Sequence, residues 1–456
     1  MAAIAERKFS PSKLNELVVV GKDVLELLSS AMYVDPLTIY REYIQNASDA
    51  IDEAERDGLY SNGARPHISI SIDPRERTIK IIDNGTGLPA NVFARTLTAL
   101  GASKKRGSDA RGFRGVGRLC GLAYCEQLIF RGKSTTGPRV WEVGFDCRRF
   151  KELLNDTQFR GDVNDVMYEI IQFDTFEDSR ARTHFFEVEL RRVSRVANDT
   201  LLNQAAARTY ISQVAPVPFR RGFRFAGRIT KHLAKYGTGK TYNIYLNDDS
   251  RRIERPFANS FALKETRRDK FLELEVFEVP GLNGGVDAVG WLLHHNYYGA
   301  LPQQLGIRGL RLRLGNMQIG AENVFEVAFP ELRFNSWSVG EVHLLSSRLV
   351  PNGRRDDLEQ SVHQQNLLNH VGQRAKQITK RCRAKSAERN RKKVRDGRCA
   401  KPPTAWLQSL RSFKSLDSRK QRAFERFFAE LLRSSPRKAK AKSTIVAILP
   451  KLCSIA

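Results

Sequence analysis

The segment YREYIQNASDAIDEA, residues 40–54, constrains the fold more than any other part of this 456-residue chain. Apolar residues recur there at spacings of three and four, which predicts one buried face of an α-helix: Ile39, Tyr43, Ala47, Ala50 and Ile51. A second stripe of the same helix carries Glu42, Asn46 and Asp49. A carboxylate in such a stripe can polarise a water, and an amide oxygen can ligate Mg²⁺. The alternative is an ordinary solvated face of an amphipathic helix.

A second segment, IKIIDNGTGLP at residues 79–89, reads as a short apolar strand that ends at Asp83. The glycines after it, Gly85 and Gly87, allow a tight turn and the close approach of a ligand to the backbone. Asp83 could accept a hydrogen bond from an exocyclic amine, which would recognise adenine. We therefore count Asp83, Asn84, Gly85 and Gly87 as candidate nucleotide-binding residues, although Asn-Gly is also common in simple turns.

A third segment, RGFRGVGRLCG at residues 111–121, has glycines spaced G-x-x-G-x-G and then apolar residues, as at the start of a helix. Free N–H groups and the positive end of the helix dipole would favour a phosphate there. The polar, basic segment at 97–107 just before it could act as a mobile lid over a nucleotide. The candidate nucleotide-binding residues from both segments are Ser103, Lys104, Gly112, Arg114, Gly115, Val116 and Gly117.

Together these three segments resemble the GHKL ATPases, a superfamily that includes heat-shock protein 90, type II topoisomerase B subunits, MutL, the microrchidia proteins and histidine kinases. The heat-shock protein 90 family is the most similar, because its opening helices match residues 27–54 without a gap. The resemblance implies an N-terminal Bergerat fold, an α/β sandwich with a mixed sheet, and it implies ATP and Mg²⁺ as ligands.

The resemblance also assigns roles to the candidate residues. Glu42 is implied as the general base that orients the attacking water, and Asn46 as the Mg²⁺ ligand. Asp83 is implied to bind the adenine amine, with room for the base at Gly87. Asp49 is counted with the nucleotide-binding residues, and the three glycines at 112, 115 and 117 are implied to bracket the phosphates.

One further residue is carried over from the same resemblance. Thr183, in RTHFFEVEL, matches the threonine that supports the adenine-binding aspartate. Arg182 stands here where the family usually has glycine.

A loop near residue 355 extends the resemblance beyond the nucleotide-binding domain. The run LVPNGRRDDLEQS at 349–361 is similar to the middle-domain loop that reaches back to the nucleotide in heat-shock protein 90. Arg355 is implied to neutralise charge on the γ-phosphate, with Arg354 as the alternative if the register slips by one. Arginines supplied in this way accelerate phosphoryl transfer by orders of magnitude. The alternative is a charged surface turn before a helix.

The order of helix- and strand-like segments predicts an α+β fold with three parts. These are a nucleotide-binding ATPase domain at 1–215, an α/β middle or transducer-like domain at 216–360, and a basic, mostly helical region at 361–456. The predicted strands of the first part are His67–Asp73, Ile79–Asp83, Arg139–Phe145, Val166–Phe173 and His184–Leu190.

Composition limits the class of protein. No apolar run approaches the roughly 20 residues that span a bilayer, and the N-terminus lacks the pattern of a secretory signal. The six cysteines form no C-x-x-C pair, which is typical of a reducing compartment. We therefore expect a protein that does not enter a membrane and lies in the cytoplasm, with the nucleoid or the nucleus as alternatives.

The charge is concentrated at the C-terminal end. Residues 371–456 hold 25 Lys and Arg against 5 Asp and Glu, a net charge of +20 out of +26 for the whole chain. Such clusters bind DNA or RNA by releasing counterions, but they also serve as solubilising or ribosome-adhering tails or dock to acidic proteins.

Two functions therefore stay open. One is a heat-shock protein 90-like ATPase whose lid closure and nucleotide-dependent homodimerisation remodel a protein client. The other is a clamp ATPase of the MutL or microrchidia type that holds DNA or RNA. We find no phosphoacceptor-histidine segment that would favour a kinase.

Overall fold

The computed structural model describes residues 20–26, 35–61, 63–99, 117–135, 137–178, 184–196, 198–247, 249–395, 417–419, 421–423 and 425–426. By its internal contacts the chain divides into two compact units, Met1–Thr379 and Lys380–Ala456. Mixed sheets and helices together make up the first unit, so the predicted α+β class is confirmed. The predicted division into three domains at 215 and 360 stays a prediction.

The described α-helices are numbered in chain order. They are α1 Asp23–Glu26, α2 Thr38–Arg56, α3 Ala90–Thr98, α4 Cys147–Asn155, α5 Val163–Ile170, α6 Gln204–Val214, α7 Ala226–Ala234 and α8 Val362–Arg395. Short 3-10 helices occur as well, and the one that matters for the site is Gly117–Ala123.

The first sheet has seven described strands: β1 His67–Asp73, β2 Thr78–Asp83, β3 Gln127–Lys133, β4 Arg139–Asp146, β5 Ile171–Glu177, β6 Phe185–Arg191 and β7 Asn243–Leu246. Their order across the sheet is β5-β4-β3-β6-β2-β1-β7. All neighbours are antiparallel except β1 and β7, which are parallel. Strand β7 comes from beyond residue 215, so the chain returns to this sheet after α7.

The other described strands are β8 Ser260–Lys264, β9 Arg267–Lys270, β10 Glu273–Pro280, β11 Val286–His294, β12 Gly309–Leu314, β13 Met317–Ile319 and β14 Val339–Leu344. Five of them form the second sheet in the order β10-β11-β14-β12-β13, and β8 and β9 form a separate pair. Strands β12 and β14 are parallel, and the other pairs are antiparallel.

Helix α2 covers the first sheet as its apolar stripe predicts. Ile39, Tyr43, Ala47 and Ile51 are all buried in the main core with residues of β1 and β2. The helix begins at Thr38, just after Asp35 and Pro36, where the Thr38 N–H donates to the Asp35 carbonyl at 3.0 Å. Because the apolar face is buried on the sheet, the stripe with Glu42 and Asn46 must face another part of the molecule.

The predicted strand Val166–Phe173 is wrong for most of its length. Residues Val163–Ile170 form α5, and β5 starts only at Ile171. The helix begins with a capping box, in which the Asp162 side chain accepts from the N–H of Asp165 and the Asp165 side chain accepts from the N–H of Asp162. These paired bonds satisfy two backbone N–H groups at the start of the helix that have no partner within it, and they therefore favour a helix at this position.

A buried polar cluster joins the second sheet to the end of α6. Glu341 on β14 accepts from Arg255 and from Arg313, each at 2.6 Å, and from His343 at 3.1 Å. Arg313 also donates to the Gln213 carbonyl at 2.7 Å. The two guanidinium groups hold the pKa of Glu341 well below its usual range, against the opposing effect of burial. The cluster therefore depends on Glu341 being ionised.

The described part of the chain contains no helix with both the length and the apolar character needed to cross a membrane. Among the same residues, no three His, Cys, Asp or Glu side chains are grouped so that they could hold a metal ion.

Candidate functional site

The polar stripe of α2 runs between two loops that the sequence singles out. At one end, a Cβ added to Gly85 would lie 2.7 Å from the Ala50 carbonyl carbon and Cβ. At the other end, a Cβ added to Gly117 would lie 3.3 Å from Cδ of Glu42, and nearer still to Oε2. Eight helical residues separate positions 42 and 50, a span of about 12 Å. The two loops therefore contact α2 about two turns apart.

The Asp83 loop is built tightly against α2. Asp83 is buried at the end of β2, and its Oδ1 accepts from the Gly85 N–H at 2.9 Å. The Thr86 N–H donates to the Ala50 carbonyl at 3.3 Å. These bonds place the carboxylate close to the last turns of the stripe, which is where the sequence predicts the base of a nucleotide.

The predicted residues Asn84 and Gly87 have structural tasks of their own. Asn84 Oδ1 accepts from the His67 N–H at 2.9 Å, and its Nδ2 donates to the Arg65 carbonyl at 3.0 Å. Gly87 has φ +65°, and a Cβ there would meet the Lys133 carbonyl oxygen. Glycine is therefore needed at 87 for backbone packing as well as for any ligand.

Asn46 lies between the two loops on the same stripe. It is half-buried. An amide oxygen in that position fits a Mg²⁺ ion, which prefers oxygen ligands. Asp49, one turn further along, is buried.

Glu42 is the centre of the other end of the site. Its side chain is only 3% exposed, and Oε1 accepts from Arg41 Nη2 at 3.2 Å. Arg355 reaches the same carboxylate from a loop 313 positions further along the chain, with Nη1 at 3.6 Å from Oε2. Arg355 is buried, whereas Arg354 is exposed. The structure thus brings Glu42 together with Arg355 and not with the side chain of Arg354.

Arg41 and Gln45 are residues of this site that sequence reasoning missed. Arg41 donates to the carbonyls of Arg354 and Arg355 at 3.5 and 3.4 Å. Gln45 Oε1 accepts from Arg355 Nη1. Neither residue stands out in the sequence, since both look like ordinary polar positions on a helix. The positive φ of Arg355, 55°, is the sort of backbone feature that marks functional loops, but only the structure reveals it.

The 3-10 helix that starts at Gly117 is fastened to α2 by Tyr43. The Tyr43 hydroxyl donates to the Arg118 carbonyl and accepts from the Gly121 N–H, both at 3.1 Å. The helix that the sequence predicts after the glycines is thus a 3-10 helix in the structure. The two Tyr43 hydrogen bonds hold it against α2 and so set the distance between Gly117 and Glu42.

At this end of the described site, the Glu42 carboxylate lies beside two guanidinium groups, those of Arg41 and Arg355. Burial raises the pKa of the Cys120 thiol, and the nearby charge of Glu42 raises it further. Burial also lowers the pKa of Arg118. Guanidinium charge close to a glycine backbone is suited to phosphate oxygens.

The remaining predicted residues lie outside the described part of the chain. These are Ser103, Lys104, Gly112, Arg114, Gly115, Val116 and Thr183. His184, which follows Thr183, is described, and its Nδ1 lies 2.6 Å from the Gly85 carbonyl. The chain next to Thr183 therefore reaches the Asp83 loop.

Among the described residues of the first unit, two cavities lie away from this site. One, of about 630 Å³, is lined by residues that include Arg208, Tyr245 and Asp249. The other, of about 530 Å³, lies beside α7 and is bordered by Phe219 and Arg255. Neither is lined by the residues of the candidate site.

The N-terminal part of the chain, which holds most of these residues, is similar to known ATPases. Residues 38–149 match the family described as histidine kinase-, DNA gyrase B-, and HSP90-like ATPase. The matched residues include α2, the Asp83 loop and the 3-10 helix at Gly117. The predicted resemblance to the GHKL ATPases is confirmed.

Among individual proteins, the chain is similar to chaperone proteins HtpG, of the heat-shock protein 90 family. It is 28% identical to HtpG of Helicobacter acinonychis (strain Sheeba) over 155 residues, which are 30% of this chain and 25% of the relative. It is 34% identical to HtpG of Anaplasma phagocytophilum (strain HZ) over 134 residues, 26% of this chain and 20% of the relative. For HtpG of Polaromonas naphthalenivorans (strain CJ2), identity is 40% over 70 residues, 14% of this chain and 11% of the relative. The matches thus span a quarter or less of these relatives.

Proposed function

We propose that this protein hydrolyses ATP to ADP and phosphate and uses the cycle to remodel a protein client, as a heat-shock protein 90-like ATPase in the cytoplasm. The observation that carries the proposal is the meeting of Glu42 with Arg355, whose Nη1 lies 3.6 Å from the carboxylate. A buried carboxylate beside a guanidinium group and a glycine backbone is what phosphoryl transfer to water requires.

Each described residue of the site has a task in this proposal. Glu42 accepts a proton from the attacking water, and Arg355 stabilises the negative charge that develops on the phosphoryl oxygens. Asp83 accepts a hydrogen bond from the adenine amine. Gly117 leaves room for the phosphates beside the carboxylate. Asn46 would hold Mg²⁺, which supplies charge neutralisation at the phosphates when it is bound.

The residues outside the described part complete the proposed site. Arg114, Val116 and the glycines at 112 and 115 are proposed to surround the phosphates, and Ser103 and Lys104 to belong to a lid that closes over ATP. Thr183 is proposed to support Asp83, and Asp49 to contribute to nucleotide binding. By analogy with the family, lid closure is proposed to be coupled to formation of a homodimer.

The test is the ATPase rate of Glu42→Ala measured with nucleotide affinity by titration calorimetry. We expect turnover to fall by about 10²–10⁴-fold, because a general base contributes that much, while ATP still binds through Asp83. Glu53→Ala is the matched control, since Glu53 is exposed on the same helix. Unchanged turnover in Glu42→Ala would remove the proposed role of this residue.

A second candidate function is a clamp ATPase of the MutL or microrchidia type that holds DNA or RNA. The observation in its favour is the basic end of α8: residues 380–395 carry nine Lys and Arg and one Glu. Like charges stand four residues apart, as at Arg381 and Lys385, and such pairs destabilise a helix by about 0.2–0.5 kcal/mol each. A polyanion would relieve this repulsion and release its counterions.

The two functions differ in which ligand stimulates ATP turnover. The rate is measured with double-stranded DNA, with RNA and with an unfolded protein, in the full chain and in a variant with Arg381, Arg383 and Lys385 replaced by Gln. Stimulation by nucleic acid that falls with salt and is lost in the variant supports the clamp. Stimulation by unfolded protein alone, equal in both chains, supports the chaperone.

A further inference from the structure

The backbone of Arg355 is held in a conformation that it would not adopt alone. Its φ of 55° lies in the left-handed region, which is unfavourable for a residue with a Cβ. The surrounding structure holds it there. The Arg355 carbonyl accepts from the Gly320 N–H at 2.9 Å and from Arg41 Nη1 at 3.4 Å. The Arg355 carbonyl thereby joins the loop at 349–358 to Gly320 and, through the Arg41 side chain, to α2.

The side chain of Arg355 is held by a different residue, Gln45. The Gln45 Oε1 accepts from Arg355 Nη1. The same Nη1 stands 3.6 Å from Glu42 Oε2, whereas a full charge-assisted hydrogen bond is about 2.7–2.9 Å long. Gln45 follows Glu42 by three positions, so both side chains lie on one face of α2. The nearer partner of the guanidinium group is therefore the neutral amide and not the carboxylate.

The other end of the Gln45 amide indicates why the residue is there. Gln45 is buried, and its Nε2 has no hydrogen-bond partner in the structure as described. A buried donor without an acceptor is costly, so an apolar side chain of similar volume would fill this position better. What such a side chain lacks is the acceptor for Arg355.

We propose that Gln45 is a positioning residue that keeps the Arg355 guanidinium group beside Glu42 without neutralising it. This inference rests on the proposed ATPase function. A neutral acceptor holds the cation in place and leaves its charge for the phosphoryl oxygens. It also keeps Arg355 from pairing closely with Glu42, which would reduce the ability of the carboxylate to accept a proton.

Two substitutions of Gln45 separate the effect of holding the Arg355 side chain from the effect of the neutral charge of the acceptor. Gln45→Met removes the acceptor at nearly constant volume, so the loop at 349–358 loses a side-chain contact to α2. We expect kcat to fall about 10- to 100-fold, the range for losing a hydrogen bond to a charged group. Gln45→Glu keeps an acceptor but adds a negative charge, so we expect the loop to be held at least as firmly and kcat still to fall.

The measurements are steady-state turnover, ATP affinity by calorimetry, and amide hydrogen exchange at 349–358 in the full chain without nucleotide. Gln45→Met is expected to raise exchange in this loop and to leave ATP affinity within about threefold, since the lost contact acts after binding. In an Arg355→Met background it should change kcat no further, because its effect passes through Arg355. Gln158→Met, at an exposed glutamine, is the control.

Several results would overturn the inference. One is wild-type kcat in Gln45→Met while Glu42→Ala abolishes turnover, which would leave the proposed function standing. Another is a fall in kcat on Gln45→Met that is equally large in the wild-type and the Arg355→Met backgrounds, which would indicate a general structural role for Gln45. If the wild-type chain hydrolyses no ATP, the proposed function fails. Hydrogen exchange then tests the positioning by itself, because unchanged exchange at 349–358 in Gln45→Met would refute the positioning of Arg355 by Gln45 as well.

Discussion

Substituting Gly117 by Ala tests the geometry around Glu42 with the addition of one methyl group. The added Cβ would stand 3.3 Å from Glu42 Cδ and 3.7 Å from Cγ, and closer than either to Oε2. Non-bonded carbon contacts are comfortable only at about 3.5–4.0 Å. The carboxylate must therefore retreat by about 1 Å to reach an ordinary contact distance.

The consequences for folding and for catalysis differ in size. The group that must move is the end of a flexible side chain, and it loses part of its pairing with Arg41 and Arg355, at 3.2 and 3.6 Å. Replacing Gly by Ala gains about 0.4–1 kcal/mol from the unfolded chain, so overall stability should change little. A displacement of 1 Å at a reacting group, in contrast, can cost about 10²-fold in rate.

The assay compares kcat, ATP affinity and the free energy of unfolding of Gly117→Ala with those of the wild type. Gly227→Ala on α7 is the control, because a Cβ there meets nothing within 4 Å. We expect kcat to fall about 100-fold in Gly117→Ala only. Turnover within about threefold of the wild type, in a variant that folds, would show that the position of Glu42 does not limit the reaction.

Other predictions address the remaining parts of the molecule. Asp83→Asn should abolish ATP binding in calorimetry, because the acceptor for the adenine amine is weakened; wild-type affinity would reject the pocket. Arg355→Met should lower turnover by about 10³-fold or more, and Arg354→Met, at the exposed neighbour, should not; equal effects would place the catalytic arginine elsewhere. Burial lowers the pKa of His343 from its ordinary 6.5 to about 4. Its neutral form thus stabilises the fold fully above pH 6.5. That contribution, about 3 kcal/mol, is lost as the pH falls through 4. Chemical denaturation at several pH values should show that His343→Gln loses less unfolding free energy at acid pH than the wild type does. An identical loss would contradict the assignment of this contribution to His343.

Local pattern was informative where a residue's partners lie nearby in sequence. The apolar stripe of α2 predicted its buried face, since helical spacing alone places those side chains together. The apolar run before Asp83 predicted β2 and placed the carboxylate at its end. The predicted strand at 166–173 was wrong because most of the segment belongs to α5, which begins at the cap formed by Asp162, and the prediction took no account of that cap. A cap occupies only one or two positions, whereas periodicity averages over many.

Contacts between residues that are far apart in the sequence could be identified only in the folded chain. Strand β7 lies parallel to β1 although some 170 residues separate them, and no local pattern indicates that pairing. The roles of Arg41 and Gln45 depend on a loop more than 300 positions away. In the sequence, Arg355 became a candidate only because the loop at 349–361 resembles one in heat-shock protein 90. Its burial against α2 is a property of tertiary packing.

The sequence by itself determined the helix with Glu42 and Asn46 and the strand that ends in Asp83 with its glycine turn, because these follow from residue type and short-range spacing. Only the tertiary structure decided that Gly117 and Arg355 meet Glu42 and that Gln45 accepts a hydrogen bond from Arg355. That meeting depends on how two sheets, α2 and the loop at 349–358 pack together, and packing of distant segments is set by the whole core and not by any one stretch of chain.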